Sequence, residues 1–349
     1  RPSPSPALRP IEWHRDLSAS TFRKSTSAEC DVSNPGATLA IAVLGLILGV
    51  VLLAWASDQF VIGAARIAVI KKVAPIVVGV VVVGFGTSSP ELLVSASAAA
   101  SGQPEIAIGN IVGSNLVNLS LILGIGVLIF PLAVDSQTVK REAPLTAAAM
   151  LLFLLFVQGG ISILEGLVML GAMAAVLALV MRRNPSDDLG TEAVEFAGTD
   201  HRLGTEIVRT AVGLIGTLAG AQVLLWAAVD LADRAGLARG FVGATLVAFG
   251  TSLPEFVTVV QSARRREGDL ILGNLLGSNR FNSLAVGGVV GLVGGAVVDA
   301  PALTVRASLA AVALGVLVWA MMRTGRRLRR AEGAALVVVY IALVPLLVG

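Results

Sequence analysis

The residues most able to do chemistry form two short polar segments inside apolar runs, GTSSPE at 86–91 and GTSLPE at 250–255. A proline lacks the N–H of a helical residue, so each segment predicts a broken helix in which the carbonyl of Gly86 or Gly250 loses its partner. In hydrocarbon such a carbonyl must face a polar cavity or an ion. Each break therefore offers carbonyl, hydroxyl and carboxylate oxygens, and the side chains concerned are Thr87, Ser88, Glu91, Thr251, Ser252 and Glu255.

The two glutamates need a charge partner, because a carboxylate within a bilayer costs at least a few kcal/mol. Neither segment contains a Lys or Arg before Arg264, so the available partner is a proton or a cation from solution. A single glutamate could be protonated and hydrogen-bonded at a helix kink. Two glutamates in matching oxygen-rich breaks favour a cation site instead.

A second pair of polar motifs follows, GNIVGSN at 109–115 and GNLLGSN at 273–279. Asn110 and Asn274 offer amide oxygens, while the glycines and the neighbouring Ser114 and Ser278 are typical of close helix packing. All these ligands are oxygen donors, which suit Na⁺, Ca²⁺, Mg²⁺ or Mn²⁺ rather than Zn²⁺ or Cu⁺. Cys30 is the only cysteine, which excludes an internal disulfide and a cysteine metal site.

Both motifs belong to an internal duplication, because residues 85–124 match residues 249–288 at a constant offset of 164 without an insertion. The composition is 55% hydrophobic and 14% charged, with a mean hydropathy of +0.85, which predicts an all-α polytopic membrane protein. The basic residues lie in short connections between apolar runs, so they indicate a lipid bilayer rather than nucleic acid as the partner.

Apolar runs predict ten transmembrane helices, arranged as two inverted five-helix repeats. The predicted helices cover 37–58, 64–100, 104–131, 142–158, 160–182, 205–234, 240–263, 268–297, 301–323 and 331–348. Residues 1–36 form a polar tail that we expect to be disordered. The first repeat then covers 37–182, a linker covers 183–204, and the second repeat covers 205–349.

An odd number of spans in each repeat predicts that the two copies have opposite orientations in the membrane. Nearly all Lys and Arg residues between spans fall in odd-numbered connections, whereas the even-numbered ones contain only Arg234, Arg239 and Arg306. The positive-inside rule then places the 183–204 linker in the cytoplasm and both termini outside. The turn at 100–102 has no charged residue, whereas the equivalent turn at 264–266 consists of three arginines. Inverted repeats predict this difference, because they place the two turns on opposite sides of the membrane.

GTSSPE with GNIVGSN, and GTSLPE with GNLLGSN, closely resemble the two α-repeats of the Ca²⁺/cation antiporter superfamily, especially prokaryotic Na⁺/Ca²⁺ exchangers. The resemblance implies a plasma-membrane antiporter that exports Ca²⁺ against entering Na⁺, with sliding of the first and sixth helices for alternating access. It implies no organic cofactor and no covalent chemistry. The ion sites it implies are lined by Thr87, Ser88, Glu91, Asn110, Thr251, Ser252, Glu255 and Asn274, with backbone carbonyls near Gly84 and Ala248.

Three alternatives remain at this stage. An antiporter of H⁺ against Ca²⁺ or another divalent cation would use the same two glutamates as proton carriers. A cation channel would use them as a selectivity ring, although a broken-helix inverted repeat favours a carrier. An intramembrane enzyme would use them as an acid/base pair, but both histidines lie outside the predicted spans. Oligomeric state and stoichiometry stay open.

Overall fold

The computed structural model describes residues 35–71, 87–183, 202–266, 268–294 and 302–347. The described residues from Ile41 onward form one compact unit. The predicted polar tail up to residue 34, most of the predicted linker, and the carbonyl candidates Gly84 and Gly86 lie outside the described residues.

The described part of the chain is a bundle of helices joined by short turns. In chain order the helices are α1 Pro35–Ile70, α2 Ser89–Ala100, α3 Pro104–Ile129, α4 Ala143–Phe156, α5 Ile163–Arg183, α6 Leu203–Ala235, α7 Arg239–Thr251, α8 Leu253–Arg265, α9 over 268–294, α10 Ser308–Arg323 and α11 Arg330–Leu347. Two short strands, β1 Leu132–Ala133 and β2 Arg327–Leu328, pair antiparallel and bring the turns after α3 and α10 together.

Four helices in the described ranges are long and apolar enough to cross a membrane, over Leu39–Ile67, Pro104–Ile129, Leu203–Ala235 and Thr304–Arg323. The bent pair α7 and α8 passes the same test as one span. The membrane protein predicted from composition is therefore confirmed, with four to five of its spans meeting this criterion. The predicted total of ten spans stays a prediction.

The predicted boundary between the first and second helices is wrong. The sequence analysis placed a break between residues 58 and 64, but α1 continues unbroken through Asp58 and Gln59 to Ile70. Arg209 Nη1 of α6 donates to Gln59 Oε1 at 2.8 Å, so the neighbouring helix supplies a polar partner and the helix need not end there. Residues 72–86, the middle of the second predicted helix, lie outside the described residues.

The secondary structure repeats with the same offset of 164 residues as the sequence. The first part of α3, Pro104–Val117, corresponds residue for residue to the first part of α9, Gly268–Phe281. Both are followed by a π-helical turn, Asn118–Ile122 in α3 and Asn282–Val286 in α9. The turns before these helices also match, since Gly102 and Arg266 both have left-handed backbones with φ of 69° and 64°.

Glycines allow two pairs of helices to approach closely. A Cβ at Gly49 of α1 would lie 2.7 Å from the backbone nitrogen of Leu224, and one at Gly220 of α6 would lie 2.8 Å from that of Leu53. A Cβ at Gly109 of α3 would lie 2.5 Å from the carbonyl oxygen of Gly240 in α7. Most residues of α3 are buried, including every residue from Ile106 to Ser120.

Candidate functional site

The polar breaks lie where the sequence predicted a broken helix. Helices α7 and α8 meet at an angle of 47° around Ser252, because Pro254 enters the first turn of α8 and cannot donate to the preceding turn. Ser88 precedes α2 in the same way, and the two serines share nearly the same backbone, with φ, ψ of −93°, 7° and −83°, 8°. The break of the second repeat is thus seen in full, and that of the first from Thr87 onward.

A reciprocal pair of hydrogen bonds joins the threonines of each break to the asparagines of the other repeat. Thr87 Oγ1 donates to Asn274 Oδ1 at 3.2 Å, and Thr251 Oγ1 donates to Asn110 Oδ1 at 3.0 Å. The two bonds are equivalent, because the 164-residue offset relates Thr87 to Thr251 and Asn110 to Asn274. Each bond joins one repeat to the other, so the duplicated segments form one shared polar centre rather than two separate sites.

The serines and glutamates also form a reciprocal pair of hydrogen bonds between the two repeats. Ser88 Oγ donates to Glu255 Oε1 at 3.2 Å, and Ser252 Oγ donates to Glu91 Oε1 at 3.0 Å. All four side chains are fully buried. The second carboxylate oxygen, Oε2, has no hydrogen-bond partner in either glutamate, and no Lys or Arg of the described residues forms an ion pair with them. Each half of the centre therefore presents one unpaired carboxylate oxygen.

The two halves are not identical. Ser278 Oγ donates to Glu255 Oε1 at 3.0 Å and lies 2.8 Å from Ser88 Oγ, whereas the equivalent hydroxyl of Ser114 is buried without a partner. The amides differ as well, because Asn110 Nδ2 donates to Ser95 Oγ at 3.0 Å while Asn274 Nδ2 has no partner.

Four further asparagines, which the sequence analysis did not select, are buried farther along α3 and α9, and three of them are joined by hydrogen bonds between the two helices. Asn118 Nδ2 donates to Asn279 Oδ1 at 3.0 Å, and Asn279 Nδ2 donates to the carbonyl of Asn115 at 3.1 Å. Asn118 and Asn282 begin the two π-helical turns, and the Oδ1 atoms of both are buried without partners. Their recurrence at the 164-residue offset, immediately beyond GNIVGSN and GNLLGSN, is the signal that could have identified them.

Of the two backbone carbonyls proposed from sequence that the structure describes, that of Ala248 already accepts hydrogen bonds within α7. The carbonyl of Ala248 accepts from Thr251 Oγ1 at 3.2 Å and from the Ser252 N–H at 3.1 Å. The carbonyl of Gly250, whose helical partner would be the N–H that Pro254 lacks, stays a predicted ligand.

Buried, unpaired oxygens of this kind suit a hard cation. The centre offers carboxylate, amide and hydroxyl oxygens, and the described residues contain no group of three or more His, Cys, Asp or Glu side chains that could hold a metal. Two carboxylates among neutral donors balance one divalent or two monovalent cations, which permits alternative loads at one site.

Comparison with known proteins shows extensive similarity to ion exchangers. A family model described as sodium/calcium exchanger protein matches residues 41–182 and 205–349. The putative antiporter CaxA of Alkalimonas amylolytica is 36% identical over 87% of this chain and 97% of that protein. The sodium/calcium exchanger MaX1 of Methanosarcina acetivorans is 29% identical over the same shares. A solved structure of the sodium-calcium exchanger NCX_Mj, soaked with Na⁺ and Sr²⁺, is 28% identical, with a TM-score of 0.57 over 88% of this chain and 98% of that one.

Proposed function

This chain belongs to the sodium/calcium exchanger protein family, and we propose that it exchanges Na⁺ for Ca²⁺ across a membrane by alternating access. Its relatives are transporters, and it is an integral membrane antiporter of cations rather than an enzyme. The choice of Na⁺ as the coupling ion is the part that we propose.

One observation carries the proposal: Glu91 and Glu255 are fully buried, and each keeps one carboxylate oxygen without a partner while a serine of the other repeat holds the second. Burying two such charges is costly unless a cation neutralises them. The serines fix the carboxylates in position, so a dehydrated ion would meet ligands that are already arranged.

We rank the candidate ion ligands by whether their oxygens already have hydrogen-bond partners, and those without partners come first. The first candidates are the residues of the two motif regions that hold buried oxygens without partners, namely Glu91, Glu255, Ser114, Asn115, Asn118 and Asn282. The remaining candidates from sequence have partners across the repeats but keep lone pairs that could face an ion. These are Thr87, Ser88, Asn110, Thr251, Ser252, Asn274 and, more remotely, Ser278 and the carbonyls of Ala248 and Gly250.

Competition at the shared centre is what couples the two ions. Two carboxylates balance one Ca²⁺ or two Na⁺ ions, so occupancy by one species expels the other. The centre then has to open to each side in turn, and the closely packed pair of α1 and α6 is suited to slide as one body against the rest. The glycine-lined contact between these helices supports this proposal.

Charge balance also allows protons, so exchange of H⁺ for Ca²⁺ is a second candidate. The unpaired carboxylate oxygens of Glu91 and Glu255 favour it, because each could carry a proton. The two candidates differ only in which gradient drives Ca²⁺ movement.

We place the protein in the plasma membrane, with both termini outside and residues 183–204 in the cytoplasm.

Transport by the purified protein in liposomes distinguishes these candidates. We expect Ca²⁺ uptake into vesicles loaded with Na⁺ and none, at fixed pH, into vesicles loaded with K⁺ or choline. Uptake that follows a pH gradient and ignores Na⁺ would replace Na⁺ by H⁺ in the proposal. Uptake with neither gradient imposed would indicate a channel and contradict both candidates.

Neutralising either glutamate gives the matching test of the site. Glu91→Gln and Glu255→Gln keep an oxygen for the Ser252 and Ser88 hydroxyls but remove the charge, so we expect exchange to fall to background while the detergent elution profile stays unchanged. Glu105→Gln, at the first turn of α3, is the control and should transport normally. Full exchange by either site variant contradicts the assignment.

A further inference from the structure

A cluster of charged and polar side chains joins α1 to α6 and contributes none of the candidate ion ligands. Glu206 of α6 is only 2% exposed, and its carboxylate lies between two arginines. Arg66 Nη1 of α1 lies 3.4 Å from Glu206 Oε1, and Arg209 Nε of α6 lies 3.1 Å from Glu206 Oε2. Arg209 Nη1 also donates to Gln59 Oε1 of α1 at 2.8 Å, and Gln59 Nε2 donates to the exposed Asp58 at 3.2 Å. Both helices therefore hold the buried carboxylate.

The cluster lies at one end of a close antiparallel contact between α1 and α6. A Cβ at Gly63 would lie 2.9 Å from the backbone nitrogen of Thr210, one turn from Glu206. Fourteen residues earlier on α1, Gly49 meets Leu224, which is fourteen residues later on α6, so the register is the same at both points. Packing through small residues holds helices together without a directional bond. It therefore opposes separation of the helices more than sliding along their axes.

The opposite end of this contact has no such cluster. The 164-residue offset relates the three charged positions Arg66, Arg209 and Glu206 to Asp230, Gly45 and Ala42. Asp230 pairs with Arg234 of its own helix, at 2.7 Å, and the other two positions carry no charge. Within the described parts of α1 and α6, a buried carboxylate held by cations from both helices occurs only at Glu206. The pseudo-symmetry of the repeats does not account for it.

Such a cluster opposes relative sliding of the two helices. Moving α1 along α6 by one helical turn, about 5.4 Å, would separate both arginines from their partners on the opposite helix. Because Glu206 is buried, losing a cationic partner would leave its charge poorly compensated. The cluster also lies within the apolar segments of α1 and α6 that are long enough to cross a membrane, where an unpaired charge is more costly still.

We propose that Glu206 is a positioning residue that fixes the register of α1 and α6, so that the two helices slide as one body during exchange. Its partners on α1 are Arg66 directly and Gln59 through Arg209. Without it, part of the movement would occur between α1 and α6 rather than against the rest of the protein, which slows each cycle but leaves the ion ligands unchanged. The inference rests on the proposed function, since it concerns how the same site is opened to each side.

Neutralising Glu206 tests the proposal, with Ca²⁺ transport in liposomes and Ca²⁺ binding in detergent measured on one preparation. For Glu206→Gln we expect kcat to fall by about threefold or more, the size of a typical coupling between contacting residues. Calorimetric titration should give the wild-type Kd for Ca²⁺ and the wild-type number of sites per protein. Arg66→Met should act in the same way, and the double variant should lose no more than the more affected single variant.

The matched control is Asp230→Asn, at the position equivalent to Arg66. It breaks only the pair with Arg234 within α6, at the opposite end of the contact, and should keep the wild-type kcat.

A cross-link at that opposite end supplies the decisive comparison. A Cβ at Gly45 would lie 3.2 Å from the Cβ of Ala227, so Gly45→Cys/Ala227→Cys in the Cys30→Ser background can join α1 to α6 by a disulfide. Oxidation should restore the kcat of Glu206→Gln to near the wild-type value, and reduction should remove the rescue in the same sample. The disulfide replaces the fixed register and not the charge, so a restored rate identifies register as the role of Glu206.

A merely structural role predicts a different result, in which Glu206→Gln has fewer Ca²⁺ sites per protein but a wild-type rate per site. That result, an unchanged kcat, or an oxidised cross-link that restores nothing would each overturn the proposal. If Glu206→Gln does not fold, Arg66→Met takes its place in the cross-link test, because it leaves Glu206 with Arg209. Absence of Ca²⁺ transport by the wild-type protein would instead refute the proposed function.

Discussion

At the scale of single residues, the most informative difference between the repeats is the partner of each motif asparagine. Asn110 Nδ2 donates to Ser95, but the residue equivalent to Ser95 is Val259, and Asn274 Nδ2 has no partner. Ser95→Val should remove the shorter of the two hydrogen bonds that the Asn110 amide donates, leaving the one to the carbonyl of Glu91 at 3.4 Å. A lost hydrogen bond of this kind costs about 0.5–1.5 kcal/mol, so we expect a lower midpoint of thermal unfolding in detergent.

The same substitution at Ser97, half-buried on the same helix, is the control for placing a β-branched residue in α2. Equal destabilisation by Ser95→Val and Ser97→Val would show that helix propensity, and not the lost hydrogen bond, accounts for the effect.

The sequence was sufficient to select the glutamates, threonines and serines of both breaks, because proline, hydroxyl and carboxylate residues recur there within apolar runs. It could not show that each hydroxyl bonds to the opposite repeat, since contacts such as Ser88 with Glu255 depend on how the two halves dock. It also overlooked Asn118 and Asn282, which lie beyond the motif. Their interest comes from burial and from missing partners, neither of which is visible in a sequence.

At the scale of helices, the close contact of α3 with α7 should be the most sensitive to added volume. A Cβ at Gly109 would lie 2.5 Å from the carbonyl oxygen of Gly240 and 2.9 Å from the nitrogen of Ala244, so both neighbours are backbone atoms that cannot rotate away. We expect Gly109→Ala to destabilise the protein by about 1–3 kcal/mol. Size-exclusion chromatography after a heat step measures the loss.

Gly171 of α5 provides the matched comparison, because a Cβ there meets no atom of the described residues within 4 Å. Gly171→Ala should be neutral or slightly stabilising, since alanine favours the helix. A Gly109→Ala protein as stable as Gly171→Ala would contradict the close packing of α3 on α7.

Helix positions followed from apolar run lengths, but helix interruptions did not. The sequence analysis placed a break between residues 58 and 64 that the structure does not show, because Arg209 of α6 satisfies Gln59. Conversely, the π-helical turns at 118–122 and 282–286 lie within continuous apolar runs. A π-helical turn does not change the hydropathy of the run that contains it, so only the structure could place these turns.

At the scale of the whole molecule, inverted repeats predict opposite exposure of equivalent turns. Ser101 and Arg265 are both exposed and are related by the 164-residue offset. With Cys30 replaced by serine, Ser101→Cys should react with a membrane-impermeant maleimide from outside intact cells, and Arg265→Cys only in inverted vesicles. Labelling of both cysteines from the same side would contradict the inverted arrangement.

The proposed sliding of α1 and α6 as one body predicts where a cross-link should stop transport. Val50 of α1 faces Gly250 at the end of α7, where a Cβ would lie 3.9 Å from the Val50 Cβ, within the range of a disulfide. In the Cys30→Ser background, oxidation of Val50→Cys/Gly250→Cys should stop Ca²⁺ exchange, because it fixes the moving helix to the ion-binding break. Reduction should restore it.

The counterpart joins the two helices that are expected to move together. A Cβ at Gly45 of α1 would lie 3.2 Å from the Cβ of Ala227 in α6, so Gly45→Cys/Ala227→Cys links them at one end of their glycine-lined contact. Oxidation of this pair should leave exchange largely intact, since no relative motion between α1 and α6 is needed. The opposite result would be loss of exchange with the Gly45→Cys/Ala227→Cys cross-link and normal exchange with the Val50→Cys/Gly250→Cys cross-link. It would mean that the sliding surface lies between α1 and α6.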